Sequence, residues 1–534
     1  MPSILKFYFL FLITSLNTVA ALSQTILPGT FLQTKHEIQE LRNDSIREII
    51  FHPSIKYPSS NRIFQFFNPI IQSSYNSTYA RSYNDGGVWK GKGFTQEFHG
   101  GFSFTKGVLR LSLLPNIFIS QNNSFDLASI NQFKNKFNYQ FRQMAGSSAN
   151  IDYVQKYGNK PFVNFNLGQS EVQISTKNIV VGISSQNFTL GPARKNHLLM
   201  SNGGQGFPFL YITSPKIKLR IKNLFLGYLQ PMLFYGLLKE SDYFDEVAEN
   251  DQRYINGLSL GYELPNELGI SIGFSKVLYK NMEAFELQDL YSPFYIADDG
   301  IELNYLGDTT KNTGNDTFDQ LASAFIQWKV PGQDMRLFFE LGKNDFTGGF
   351  RWTATEFEHN RLYTLGLEKI WKIKNGEFYF LYEHTYLPFF KNYVYRKTNS
   401  SYTHTEARQG YTHNGQLLGP GIGPGSVSDF VDINWIKEVI FGISFQRIRF
   451  DEDYFITQIP NNDDKIDRHD VEYSASGKFI NKGKKITWGV NSTISYRFNT
   501  YFIKKNDKVN GYIQFFINLN LASISEKNAF KNTK

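Results

Sequence analysis

Ile486-Thr-Trp-Gly-Val-Asn-Ser-Thr-Ile-Ser-Tyr-Arg-Phe498 is the stretch on which the fold turns. Ile486, Trp488, Val490, Ile494, Tyr496 and Phe498 fall on one face of an extended chain, and Thr487, Asn491, Thr493, Ser495 and Arg497 on the other. Side chains alternate across a strand, so the two faces meet different surroundings. Here one is apolar and aromatic and the other is hydroxyl- and amide-rich, as in a strand between lipid and a wet lumen. The run also has the length of a tilted membrane-crossing strand, roughly 9–11 residues. Trp488 is expected near mid-membrane on this reading.

The same alternation recurs on either side. Val471, Tyr473, Ala475 and Phe479 oppose Glu472, Ser474, Ser476 and Lys478; Ile513, Phe515, Ile517, Leu519 and Leu521 oppose Gln514, Asn518 and Asn520; Ala324, Ile326, Trp328 and Val330 oppose Ser323, Gln327 and Lys329. Connections alternate between tight and long. Lys106-Gly107, Pro265-Asn266, Pro331-Gly332-Gln333, Lys374-Asn375-Gly376 and Asn481-Lys482-Gly483 read as tight turns, with long polar loops around 117–160, 188–206, 240–251, 281–316, 345–359 and 450–466 between them. Sandwich strands would be shorter and evenly spaced. Single-chain bacterial barrels have an even strand number. Restoring that parity needs one strand within 390–412 and another before Asn84, which brings the count to about eighteen. The expectation is an all-β protein: a transmembrane antiparallel β-barrel over 73–523, with a short N-terminal periplasmic segment over 24–72 and a C-terminal tail over 524–534. Ile38, Leu41, Ile46 and Ile49-Ile50 have the spacing of a short amphipathic helix in that segment.

Residues 1–23 read as a signal peptide. Lys6 is followed by an apolar core from Phe7 to Ile13, and Ala21-Leu22-Ser23 supplies small residues for cleavage before Gln24. Mean hydropathy is −0.35, which excludes a helical membrane bundle. Aromatic content is 16%, a profile shown by a barrel with one lipid face and one wet face and also by a secreted β-sandwich or propeller. With no cysteine, lipid anchoring, disulfides and thiolate metal sites are excluded. The net charge of +8 is dispersed along the chain, so no nucleic-acid-binding face is indicated, and a surface meeting anionic lipopolysaccharide or acidic polysaccharide is.

Hydrolase motifs are missing. His404 and His413 near Glu406 could meet in space, but neither Gly-x-Ser-x-Gly nor His-Glu-x-x-His accompanies them. Asp451-Glu452-Asp453 and Asn461-Asn462-Asp463-Asp464 could offer oxygens to Ca²⁺ but lack EF-hand spacing, and read as a solvated loop. No enzyme activity, cofactor or metal is expected.

Three glycine-rich blocks remain. One runs from Asn178 through Gly191-Pro192-Ala-Arg194-Lys195 and Leu198-Leu-Met-Ser-Asn202 to Pro208. Another is Asn84-Asp-Gly-Gly-Val-Trp89-Lys90-Gly-Lys92-Gly93, with Gly100-Gly-Phe-Ser-Phe104 after it. The third is Gly410-Tyr411-Thr-His413-Asn-Gly-Gln416-Leu-Leu-Gly-Pro-Gly-Ile-Gly-Pro-Gly425. In chain order, with the block at Asn84 first, the one at Asn178 second and the one at Gly410 third, they resemble the capsule assembly protein Wzi family. Before Gly-Pro, where that family carries Trp, stands Leu190.

The resemblance implies an outer-membrane barrel of about eighteen strands that holds capsular or other surface polysaccharide at the cell surface as a lectin. The alternative is a porin or solute channel. Candidate polysaccharide contacts are Trp89, Lys90, Lys92, Arg194, Lys195, Arg351 and Trp352 at the outer mouth, with Tyr411, His413 and Gln416 as a polar platform. Aromatic faces stack on sugar rings, and Arg and Lys pair with acidic groups. The third block has a second reading, as a plug in which glycine allows close backbone approach. Outer-membrane lipid and lipopolysaccharide are the other expected partners, and the chain is expected to act as a monomer.

Overall fold

The computed structural model describes residues 24–25, 27–42, 48–56, 63–128, 135–139, 151–265, 267–294, 318–344, 354–355, 357–390, 393, 398–458 and 468–521. The signal-peptide and C-terminal-tail expectations lie outside the described residues.

Among the described residues one closed antiparallel sheet accounts for almost every strand, and its segments join into eighteen staves. Thirteen are continuous: β5 (Val180–Ser184), β7 (Leu224–Lys239), β8 (Gln252–Glu263), β9 (Ile270–Asn281), β10 (Asp319–Val330), β11 (Met335–Asn344), β12 (Arg361–Ile373), β13 (Gly376–Tyr386), β14 (Val427–Ile436), β15 (Val439–Arg449), β16 (Val471–Lys482), β17 (Ile486–Phe498) and β18 (Lys508–Leu519). Five are broken once: β1 (Phe64–Phe66, Ile70–Asn76), β2 (Gly93–His99, Phe102–Lys106), β3 (Leu109–Leu113, Asn116–Ser120), β4 (Phe162–Asn166, Glu171–Ser175) and β6 (Phe209–Thr213, Ile217–Ile221). Every break carries a residue that cannot hold a regular ladder: Pro69, Gly100-Gly101, Pro115, Gly168 or Pro215. At Gly101 a Cβ would lie 1.8 Å from the Leu113 carbonyl oxygen of the neighbouring stave, so only glycine fits.

The barrel closes where β18 pairs with β1, Tyr512 opposite Asn76 through Asn518 opposite Ile70. Tight turns join the staves at one end and long loops at the other, with the starts of β1 and the end of β18 on the turn side. The alternation read from the sequence holds. Ile494 and Ile513 are exposed on the outer wall, while Thr493, Gln514 and Asn518 are buried within. The sheet opens at Phe64, earlier than residue 73, because the break at Pro69 hides the alternation of its first half. Trp488 lies two residues from the turn-side end of β17, at an interface rather than at mid-membrane.

Helix α1 (Phe31–Arg42) stands inside the turn-side end of the barrel. Its Ile38 and Leu41 pack in one cluster with the inward side chains Ile370, Tyr379, Leu381, Ile440, Ile480 and Phe516, most of them toward that end of their staves, and with Phe430 higher in the lumen. Apolar residues on the lumenal face here are the footprint of the helix, a departure from the simple lipid-out, polar-in pattern.

Candidate functional site

The loop after β5 turns inward. Phe188–Leu190 pairs antiparallel with Phe51–Pro53 of the N-terminal segment, and Gly191 then takes a left-handed φ of +86°. A Cβ there would sit 2.6 Å from the Glu340 carboxylate on β11, so the Gly-Pro turn is pressed against the wall. Leu198, Leu199 and Met200 are buried in one cluster with Tyr402, Tyr411, Leu417, Leu418 and Ile422 of the loop between β13 and β14, and with Phe207, Phe209 and Phe234. Hydrogen bonds to the main chain fuse the two loops: the Ser201 N–H donates to the Leu418 carbonyl at 2.9 Å, and the Tyr402 hydroxyl donates to the Leu198 carbonyl at 2.9 Å. The glycine-rich blocks at 178–208 and 410–425 are therefore two halves of one internal plug. Burying a large apolar side chain is worth about 1.5–3 kcal/mol, so the plug is held mainly by its own dry core.

Charge latches this plug to the wall and to α1. Arg194 donates from Nε to Glu368 Oε1 at 2.8 Å and from Nη1 to Glu40 Oε2 at 2.7 Å. Glu383 accepts the backbone N–H groups of Arg194, Lys195 and Asn196 at 2.7, 3.0 and 2.8 Å, an anion in a nest of amides. Arg336 adds a second guanidinium to Glu368 at 2.5 Å. On α1, burial pushes Glu37 up to about 7, with Arg194 opposing the shift. Burial would raise Glu40 too, but the His36 hydrogen bond and the Arg194 charge hold it well below the usual carboxylate range. His197, buried beside the turn, is lowered to about 3, so it stays neutral while its Nδ1 meets the Leu190 carbonyl at 3.1 Å.

This overturns the expectation that Arg194 stands at the outer mouth. Its side chain is 8% exposed and committed to two carboxylates deep in the lumen. Lys90 is also buried and bonded, to Asp85 at 2.7 Å. Tyr411 is fully buried between Tyr279 and Tyr402. His413 is lowered to about 3 by burial and accepts the Lys239 N–H at 3.0 Å. Gln416 accepts from the Gln205 N–H at 3.0 Å and donates to the Gly86 carbonyl at 3.2 Å, tying the first block to the other two. The plug reading of the third block is the one the packing supports. Lys195 lies across the Phe430 ring at 4.7 Å and faces a lumenal cavity of about 220 Å³, lined also by Arg81, Asp432, Lys478 and Tyr512. Arg351 and Trp352 lie outside the described residues.

Two other expectations resolve similarly. His404 receives the Glu406 and Ala407 N–H groups at 3.3 and 3.2 Å and is not assembled with His413. The acidic run Asp451–Asp453 is buried rather than solvated: Asp453 accepts the Phe389 N–H at 2.7 Å, and Glu452 pairs with His469 at 2.9 Å. Among the described residues no group of acidic or histidine side chains could hold a metal ion.

Among the described residues, Trp89 alone of the expected aromatics keeps a half-open setting at the loop end. It meets Tyr157 edge-on at 5.3 Å, Tyr157 meets Tyr243 at 5.8 Å, and Tyr243 meets Phe137 at 5.6 Å. All four are half-buried, with Lys136 and Lys160 exposed beside them and Lys92 at the foot of the same loop. Tyr157, Tyr243 and Phe137 escaped sequence reasoning because Phe137 and Tyr157 lie in the loop between β3 and β4 and Tyr243 in the loop between β7 and β8, far in sequence from Trp89. Glu368 and Glu383 were legible as inward positions, but nothing in the sequence paired them with Arg194.

A closed eighteen-stave sheet with an apolar exterior, tight turns at one end and a packed internal plug defines a transmembrane outer-membrane β-barrel. The sequence model of the capsule assembly protein Wzi family matches residues 118–435. The chain belongs to that family. Among solved structures it is similar to Wzi of Escherichia coli, described as an outer-membrane protein involved in group 1 capsule assembly and a carbohydrate-binding β-barrel. Identity is 11%, 85% of each chain is covered, and the TM-score is 0.54. Acinetobacter baumannii OccAB1 follows at 9% identity, covering 85% of this chain and 96% of that one, with a TM-score of 0.37. The Pseudomonas aeruginosa outer-membrane protein OpdK shows 10% identity, covers 85% and 98%, and has a TM-score of 0.39. Among curated proteins none matches.

Proposed function

We propose that this outer-membrane barrel binds capsular or other surface polysaccharide at its loop end and helps retain it there, without a catalytic step. The aromatic cluster of Trp89, Phe137, Tyr157 and Tyr243, flanked by Lys92, Lys136 and Lys160, carries this reading. Rings of this kind cover the apolar faces of sugars, and the lysines suit uronate or other acidic groups. Arg351 and Trp352 belong to the same proposal, since the loop from β11 to β12 opens at the same end. Arg194, Lys90, Tyr411, His413 and Gln416 serve it indirectly, by fixing the plug on which the mouth loops rest. Each ring contact is weak, so retention comes from many repeats engaging many molecules. A packed plug disfavours the channel alternative.

Trp89→Ala, and separately Lys136→Ser with Lys160→Ser, should lower polysaccharide retained on cells. The loss for Trp89→Ala corresponds to about 1 kcal/mol per contact, roughly fivefold. The double lysine change should also flatten the salt dependence. Folding is checked by slower gel migration on boiling. If both folded variants hold polymer as wild type does at every salt concentration, the mouth cluster has no binding role.

A further inference from the structure

The outer wall carries ionisable side chains where lipid should be. His384, Asp429 and Arg447 all have outward parity, each two residues from the loop-side end of β13, β14 or β15. They stand opposite one another across the ladder. His384 Nδ1 lies 2.7 Å from Asp429 Oδ1, and Arg447 Nη1 lies 3.6 Å from Asp429 Oδ2. Outward positions near the same level add Lys343 and Arg361, which face each other across β11 and β12, and Arg449, which pairs with Glu452.

This is not a girdle common to the whole barrel. The corresponding positions on β2 to β7 are Phe94, Ile119, Val163, Ile183, Leu210 and Leu237, all apolar and exposed. Charges on a lipid face destabilise a barrel, most at mid-membrane and least near the interfaces. Outward basic groups near this level also stand on β7 (Lys239) and on β9 (Lys280, paired with Asp289 at 2.8 Å), but β11–β15 gathers five of them side by side, a local difference in what the wall touches.

Below that row the wall is hollow. A trough of about 530 Å³ runs between Phe445 and Ile494, floored by Ala475 and flanked by Val431 and Val509, with Arg447, Tyr473 and Tyr496 at its rim. The hollow exists because β16 puts Ala475 outward between the large side chains of Phe445 and Ile494, followed by Gly477 between Ile443 and Ser492; a Cβ on Gly477 would meet nothing within 4 Å. An apolar slot beneath a basic rim has the two-part complementarity of an acylated, phosphorylated lipid.

We infer that the β11–β17 sector is a seat for one molecule of lipopolysaccharide. An acyl chain lies in the Ala475 trough, and a phosphate of the lipid A headgroup meets Arg447, with Arg361 and Lys343 extending the rim. Asp429 does not repel the headgroup outright: it orients His384 and Arg447, and the weak 3.6 Å contact leaves most of the guanidinium fork available. The inference rests on the reading of this chain as an outer-membrane barrel and gives its lipid partner a place.

The test is native mass spectrometry of the detergent-extracted full chain, with lipid A, dephosphorylated lipid A or phosphatidylglycerol added. Wild type should hold lipid A about tenfold more tightly than the other two. Arg447→Gln should remove most of that preference while leaving the dephosphorylated lipid unaffected. Ala475→Phe, which fills the trough without changing charge, should weaken both lipid A forms severalfold. Both substitutions point away from the lumen, and heat-dependent gel migration verifies that each barrel is closed; Arg361→Gln replaces Arg447→Gln should the latter fail that check. Equal binding of lipid A and its dephosphorylated form, equal binding of phosphatidylglycerol, or wild-type behaviour of both variants overturns the seat. Polysaccharide retention by Trp89→Ala is read separately, so either proposal can fail alone.

Discussion

Arg194→Met should unlatch the plug without opening the sheet. The guanidinium bonds Glu40 and Glu368, whose side chains are 2% and 0% exposed. Breaking a buried pair by removing one partner typically costs about 3–5 kcal/mol, because a charge is left uncompensated. The structure argues for the lower half of that range. Glu368 keeps Arg336 at 2.5 Å and the Tyr379 hydroxyl at 2.7 Å, and Glu383 still holds three loop amides. Glu40 loses most, left with His36 at 3.0 Å and His52 at 3.9 Å. A loss of about 3 kcal/mol shifts plug docking by roughly a hundredfold. In planar bilayers wild type should pass little steady current, and Arg194→Met should show frequent openings. Protease should cut near α1 faster, while the boiled-against-unboiled gel shift persists. Adding Glu40→Gln removes the orphaned charge and should recover a large part of the loss, a coupling measured by the double-mutant cycle. Wild-type conductance and protease resistance in Arg194→Met, or no coupling to Glu40, would refute the latch.

Docking of α1 should also depend on pH. Glu37 is raised from 4.5 to about 7, so the folded state favours its neutral form; stability is greatest below about 4.5 and declines as pH rises toward 7. Glu37→Gln should flatten that decline in a proteolysis profile, and an unchanged profile would count against the shift. His197 works in the opposite sense: lowered to about 3, it contributes stability above 6.5 that is lost as pH falls, so acid unlatching should weaken in His197→Gln. Ile443→Arg, on the lipid face midway along β15 and 51% exposed, should destabilise the barrel by about 2–4 kcal/mol in urea unfolding, whereas Trp488→Arg near the turn-side interface should cost about 0–1. Equal costs would mean that the depth assignment is wrong. Gly191→Ala should strain the plug turn through its positive φ and the Glu340 contact, read as conductance like that of Arg194→Met.

The barrel was legible in the sequence because its signal is local. Lipid on one face and water on the other impose a period of two, and Ile486–Phe498 displays it in thirteen residues without any knowledge of neighbours. The tight and long connections then brought the count to about eighteen, but the strand that parity placed within 390–412 is not a stave: β13 ends at Tyr386, β14 begins at Val427, and the described residues between them pack into the plug. What blurred was also local: Pro69 broke β1 and hid its first half, so the sheet began nine residues earlier than expected. The glycine-rich blocks were recognisable as special, but their composition suits a mouth loop and an internal plug equally well.

Only the tertiary structure decided between these. Arg194 reads in sequence as an available cation; it becomes a latch because Glu40 lies 154 residues before it and Glu368 174 residues after it, and no local pattern encodes such a meeting. Likewise Trp89 gains Tyr157 and Tyr243, and Arg447 gains Asp429 and His384, through ladders and loops that close over long separations. Periodicity fixes which way a side chain points. What it points at depends on the register of every stave around the barrel, and on which loops fold inward to fill it.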